Sequence, residues 1–125
     1  MEEKIENKLY KKNLGRKGEE QATLFLKSKG YRIVERNCKC KIGEIDIIAQ
    51  NNNEYIFIEV KTRTTKSYGN PAEAINKNKI KHIINTSKYY LLKNKLKNFF
   101  IRYDVIEIYL KGNKVFINHI RNVFY

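Results

Sequence analysis

At 125 residues, 42% of them hydrophobic, the chain has the size and apolar content of one folded domain rather than of a disordered segment. It holds no apolar run near the roughly 18–20 residues of a membrane span. Its N-terminus, MEEKIENKLYKK, lacks the apolar core of a signal peptide, so a cytoplasmic protein without a membrane partner is expected.

Residues 1–12 are mixed in charge and read as an N-terminal segment that frays, ahead of a single domain over residues 13–125. A first helix is expected to run to Lys29 and stop at Gly30, a natural left-handed cap. Its inward stripe reads Leu14, Gly18, Ala22, Phe25 and Leu26. Glu19 borders that stripe, where a carboxylate needs a reason. Tyr31 to Arg36 reads as a short strand. Cys38 and Cys40 follow, one residue apart; neighbours that close rarely bridge, and two thiols alone do not complete a zinc site. The spacing of His82 and His119 adds no ligands, so the thiols are read as reduced and without a role.

Gly43 to Gln50 (GEIDIIAQ) and Tyr55 to Thr62 (YIFIEVKT) are two further strands, joined through Asn51, Asn52, Asn53 and Glu54. Asparagine tolerates positive φ, which makes this junction a hairpin turn. The next helix starts with Asn70 as N-cap, Pro71 at the first helical position and Glu73 where a capping box wants a carboxylate. It is expected to run to Leu92 with Ile80, Ile83, Ile84, Ser87 and Leu91 inward and Lys77, Lys81 and Lys88 towards solvent. Phe100 to Leu110 and Val115 to Ile120 are strands about a Gly112–Asn113 turn. The order is αβββαββ, an α/β sandwich around a mixed sheet.

The formal net charge is +13, and it is unevenly placed. From Lys61 to Arg102 the only acidic residue is Glu73, among eleven cationic side chains. Such a field attracts polyanions, since neutralising phosphates releases counterions. A lysine- and asparagine-rich composition with solvated basic faces is the competing explanation. On the first reading Arg63, Lys77, Lys79, Lys81 and Lys88 are the candidate nucleic-acid contacts.

Strand alternation then places Glu44, Asp46 and Ile48 on one face of the hairpin, with Phe57, Glu59 and Lys61 beside them. If Gln50 faces Tyr55, Ile48 faces Phe57, Asp46 faces Glu59 and Glu44 faces Lys61. Two carboxylates facing each other across a ladder destabilise a sheet. A divalent cation reverses that argument, because Mg²⁺ and Mn²⁺ take hard oxygen ligands. Lys61 would then stand beside the metal, able to hold an attacking water and stabilise charge on a phosphate. An exposed polar face with an ordinary Glu44–Lys61 ion pair is the alternative.

Asp, a turn, then Glu-x-Lys resembles the core of the PD-(D/E)XK nuclease superfamily. More closely, GRKGEEQA (Gly15 to Ala22), GEIDIIA (Gly43 to Ala49), IFIEVKTR (Ile56 to Arg63), YGNPAEAI (Tyr68 to Ile75) and RYDVIEI (Arg102 to Ile108) resemble the YraN family of predicted endonucleases, related to archaeal Holliday-junction resolvases. The likeness extends from Gly15 to the closing NHIRNVF segment. It implies a restriction-endonuclease-like fold with Asp46 and Glu59 as metal-binding carboxylates for Mg²⁺ or Mn²⁺. Lys61 matches the motif lysine that positions the nucleophilic water, and Glu19 the first-helix glutamate near the metal, with Glu20 as the alternative. The implied activity is metal-dependent endonucleolytic hydrolysis of DNA, ahead of RNA, with branched or structured DNA as a substrate class and a homodimer as an allowed assembly. Two departures stand out: Ile80 occupies the position where many relatives carry Gln, and Cys38-Lys39-Cys40-Lys41 replaces an arginine-rich stretch. A non-catalytic nucleic-acid-binding protein that retains the fold is the competing function. For Arg102 and Asp104 a strand ion pair is expected.

Overall fold

A computed structural model describes residues 2–64 and 77–123 of the chain. The element order is α1 (Glu2–Ser28), β1 (Arg32–Lys39), β2 (Glu44–Asn51), β3 (Glu54–Thr64), α2 (Lys77–Lys93), β4 (Phe100–Lys111) and β5 (Lys114–Ile120), the αβββαββ order read from the sequence. The expected cap at Asn70, Pro71 and Glu73 lies outside the described residues. None of the described helices is long and apolar enough to cross a membrane.

Both helix ends are built by the same backbone device. Gly30 takes φ 89°, and the Tyr31 N–H bonds back to the Leu26 carbonyl at 3.0 Å. Lys95, at φ 53°, does this for α2, with the Leu96 N–H on the Leu91 carbonyl at 3.1 Å. In each case the residue after the turn returns to the core beside the last helical turn, so the cap also sets the exit direction.

The strands form one five-stranded sheet in the order β1-β2-β3-β4-β5. All neighbours are antiparallel except β3 and β4, which run parallel because α2 carries the chain across between them. Each face of the sheet is covered by one helix. Ala22 and Leu26 of α1 bury against Ile47, Ala49, Ile56, Ile58, Ile106 and Ile108. On the other face Tyr90 and Leu91 of α2 meet Cys38, Ile45, Ile48, Tyr55 and Phe57. Gly18 sets how closely α1 approaches the sheet: a Cβ there would fall 1.7 Å from Thr62 Oγ1. That approach brings Glu19 alongside β3.

The hairpin turn tightens to Asn52 and Asn53, with Asn52 at φ 54°, and the ladder starts at Asn51–Glu54. Gln50 faces Tyr55 and Ile48 faces Phe57, as alternation requires. Beyond Ile47–Ile58 the pairing stops, which corrects the expected Asp46–Glu59 and Glu44–Lys61 pairs. Instead, Glu44 is the register partner of Lys39 on β1. The regular alternation also fails here, since Ile45 lies on the α2 face together with Ile48. In β1, Asn37 adopts φ 51° between the Arg36–Ile47 and Cys38–Ile45 pairs, at the level of Asp46. The physical reason is the one that made the pair improbable for folding alone. Two opposed carboxylates repel, and the strands part where they would meet.

Candidate active site

Where β2 leaves β3, the Val60 N–H loses its ladder partner. Asp46 replaces it, accepting that N–H on Oδ2 at 2.8 Å. The parting opens a cleft under the middle of α1, lined by Leu14, Gly15 and Glu19 from the helix and by Asp46, Glu59, Lys61 and Thr62 from the strands. The cleft is open to solvent and offers about 440 Å³, room for a phosphodiester group. Glu19, Asp46, Glu59 and Lys61 are therefore brought together. Glu20 is not among them, because it turns away to Arg36 at 3.1 Å.

Glu59 Oε1 is the electrostatic centre. Lys61 Nζ lies 3.3 Å from it, and Lys79 Nζ, reaching in from α2, lies 2.7 Å away. Burial, reinforced by the charges of Glu59, Glu19 and Glu44, pushes Asp46 up to about 7 despite its bond from Val60. Burial and the adjoining Lys79 lower Lys61 below the ordinary lysine value. Burial acts on Lys79 in the same sense, but its hydrogen bonds to Glu59 and Lys61 and the charges of Glu59 and Asp46 together outweigh it and hold Lys79 above that value.

Sequence reasoning counted Lys79 among the candidate nucleic-acid contacts and missed its place beside Glu59. A signal was available, because Lys79 precedes Ile83 by one turn and so continues the inward stripe through Ile83, Ser87 and Tyr90. Lys77, Lys81 and Lys88 are exposed on the outer face of α2. Arg63 turns to the buried Glu107 carboxylate, with Nε 3.5 Å from Oε2 and without a hydrogen-bond partner among the described residues. Glu107 also accepts from Tyr109 at 3.1 Å and Asn118 at 3.0 Å, and it is the register partner of Lys61 across β3–β4. Nothing in the sequence alone showed that neighbour, since β4 pairs with β3 only after the α2 crossover.

The Arg102–Asp104 ion pair is present at 2.9 Å, and larger than expected. Asp104 also bonds His119 Nε2 at 2.7 Å and the Asn122 N–H at 3.1 Å. Arg102 reaches the Tyr31 hydroxyl at 2.9 Å. Burial would raise Asp104, but these bonds, first from His119 and then from Arg102, hold it below the usual carboxylate range. The cluster ties β5 and the start of β1 onto β4 and takes no part in the cleft. Cys38 and Cys40 are free thiols.

Among the described residues, no group of three or more His, Cys, Asp or Glu side chains is arranged to hold a metal ion. Asp46 and Glu59 line the cleft from neighbouring strands and could offer it two carboxylate groups. Mg²⁺ commonly binds through one or two carboxylates and completes its shell with water and substrate oxygens, so an incomplete protein shell fits that chemistry.

The elevated Asp46 makes a stability prediction. Folded Asp46 titrates near 7 against an ordinary 3.8, so between those values the folded chain binds the extra proton and stability falls as pH rises. Asp46→Asn keeps an acceptor for Val60 and removes the charge. Without metal, the variant should melt above the parent at pH 8, by an amount worth on the order of a few kcal/mol, and the gap should close as pH falls towards 4. Thermal melts across that range check it; a variant less stable than the parent at pH 8 would mean that repulsion does not govern the split.

The sequence model described as "Uncharacterised protein family UPF0102" matches residues 18–108. A UPF0102 protein of Caldicellulosiruptor saccharolyticus is 45% identical over 118 residues, 93% of this chain and 100% of its own length. One from Clostridioides difficile is 49% identical over 113 residues, covering 90% of this chain and 97% of its own. Another, from Caldanaerobacter subterraneus, is 43% identical over 120 residues, 94% and 98% of the two chains.

Proposed function

The chain belongs to the UPF0102 family, the same family as YraN, and from that premise and the cleft geometry we propose that it is a metal-dependent endonuclease of the PD-(D/E)XK type acting on DNA. One observation carries the reading. Asp46, Glu59 and Lys61 converge with Glu19 on one cleft at the cost of a broken ladder and a carboxylate held near neutral pH. Such an arrangement hinders folding and has a use if a cation and a phosphate enter.

Asp46 and Glu59 would hold Mg²⁺ or Mn²⁺, which when bound supplies Lewis-acid polarisation of the phosphodiester. Lys61, on the same strand as Glu59, orients the attacking water and offsets charge on the phosphate as the bond to the leaving oxygen breaks. Glu19 faces the same space from α1, where it would accept hydrogen bonds from water. The exposed Lys77, Lys81 and Lys88 make a stripe for the flanking phosphates.

A second reading, a binding protein without catalysis, has one observation in its favour. Lys61 and Lys79 already neutralise Glu59 without a metal. Cleavage assays on linear, branched and single-stranded DNA and RNA, with and without Mn²⁺, separate the two. Turnover that requires Mn²⁺ supports the nuclease; tight binding with no cleavage on any substrate leaves the binding protein.

Affinity for duplex DNA should fall steeply between about 50 and 200 mM salt, as counterion release requires when several phosphates are neutralised. Replacing Lys77, Lys81 and Lys88 together with Ala should weaken binding and flatten that slope while leaving the melting temperature near the parent's. An unchanged slope would place the nucleic-acid surface elsewhere.

A further inference from the structure

Gly15 deepens the nuclease reading, on which the following inference rests. α1 runs unbroken from Glu2 to Ser28 through two glycines, Gly15 and Gly18. A glycine inside a helix weakens it relative to alanine, because it gives up more backbone freedom on folding. Gly18 has a packing reason, the close approach to Thr62. Gly15 has none among the described residues: its backbone is helical, without a positive φ, and a Cβ built there meets no atom within 4 Å. It nevertheless stands one turn before Glu19 on the same side of α1 and lines the cleft with Glu19, Asp46, Glu59 and Lys61. The missing side chain leaves the helix backbone bare towards the space a phosphodiester would enter. The exposed Arg16 and Lys17 come next in the chain, and with Tyr10 and Asn13 they line a second open hollow that shares Leu14 with the cleft.

We propose that Gly15 is a saddle over which a DNA strand leaves the cleft: the sugar–phosphate backbone lies against the bare helix at Gly15, and Arg16 and Lys17 take the phosphates beyond it. Close approach of a ligand to a helix backbone needs the room of the missing methyl, which is a use that glycine alone serves. Charge favours the same occupant. The carboxylates of the cleft repel a polyanion, so a strand entering it needs cations at the rim, and Arg16 and Lys17 supply them on the α1 side. Gly15 thus shapes the path of the strand beside the reacting phosphate and leaves the metal and the attacking water to Asp46, Glu59 and Lys61.

The test compares Gly15→Ala and Gly15→Leu with the parent, as full chains, by thermal melting and by DNA binding in Ca²⁺. Because the space beside Gly15 is free, Gly15→Ala should raise the melting temperature by about 3–5 °C, the gain from alanine in a helix interior. The same methyl should weaken DNA affinity roughly fivefold, and Gly15→Leu on the order of a hundredfold, the span that overfilling a close contact costs. A glycine with a structural role alone cannot give stability and affinity changes of opposite sign. Arg16→Ala and Lys17→Ala should each weaken binding and reduce the salt slope by about 1. Arg16→Ala should add little to the loss already present in Gly15→Leu, whose strand no longer reaches it. Gly15 variants that bind DNA as the parent does overturn the saddle. A Gly15→Ala protein that melts below the parent overturns it as well, since the glycine then serves packing. A parent that binds no DNA at low salt in Ca²⁺ overturns the nuclease reading and this inference with it, whereas a binding parent with unaffected Gly15 variants overturns this inference alone.

Discussion

Lys61→Ala is expected to cut the rate of phosphodiester cleavage by about a hundredfold or more while leaving DNA affinity in Ca²⁺ within a few-fold of the parent. The split between rate and affinity follows from position. Lys61 is half-buried in the cleft, 3.3 Å from Glu59, whereas the lysines available to flanking phosphates are spread along the outside of α2. A group that orients water and meets charge developing on the phosphate acts mainly in the transition state, so its loss appears in the rate. Single-turnover cleavage and equilibrium binding, measured on one branched and one linear DNA, check the split. Parallel losses in rate and affinity would reduce Lys61 to one more member of the basic field.

Asp46→Asn should remove cleavage to background and abolish the Mn²⁺-dependent rise in melting temperature, in a protein that is itself no less stable. The three outcomes belong together because Asp46 has two roles that Asn divides. As an acceptor it satisfies the Val60 N–H at the end of the β2–β3 ladder, and an amide oxygen can do the same. As an anion it supplies half of the carboxylate pair, and an amide cannot replace that charge. Since Asp46 titrates near 7, it must lose a proton to hold a cation, so parent activity and Mn²⁺ affinity should both climb as pH rises through about 7. Cleavage by Asp46→Asn at more than a few per cent of the parental rate would remove Asp46 from the chemistry. Activity that is flat from pH 6 to 8 would show that its ionisation is not limiting.

Read residue by residue, the sequence carried its local physics well. Alternating apolar residues marked the strands, Gly30 marked the end of α1, and the asparagine turn set the register at Gln50–Tyr55 and Ile48–Phe57. These features depend on neighbours within a few positions, and chain geometry alone decides them. The motif residues Asp46, Glu59 and Lys61 were legible as a group for the same reason, since they sit on two strands joined by one short turn.

What lay beyond reach was set by long-range placement and by competition among charges. Alternation extended past Ile48 put Asp46 opposite Glu59; the strands instead part at Ile47–Ile58, and Asp46 takes the Val60 N–H in place of a ladder carbonyl. Lys79 read as one nucleic-acid contact among several until α2 packed across the sheet and brought it to Glu59. Glu107 became the neighbour of Lys61, and His119 closed on Asp104, only through strand pairings that span tens of residues. Local periodicity determines which face a side chain takes. Which charges then meet across that face is decided by the packing of distant elements, where burial makes each unpaired charge costly and leaves the pairings few.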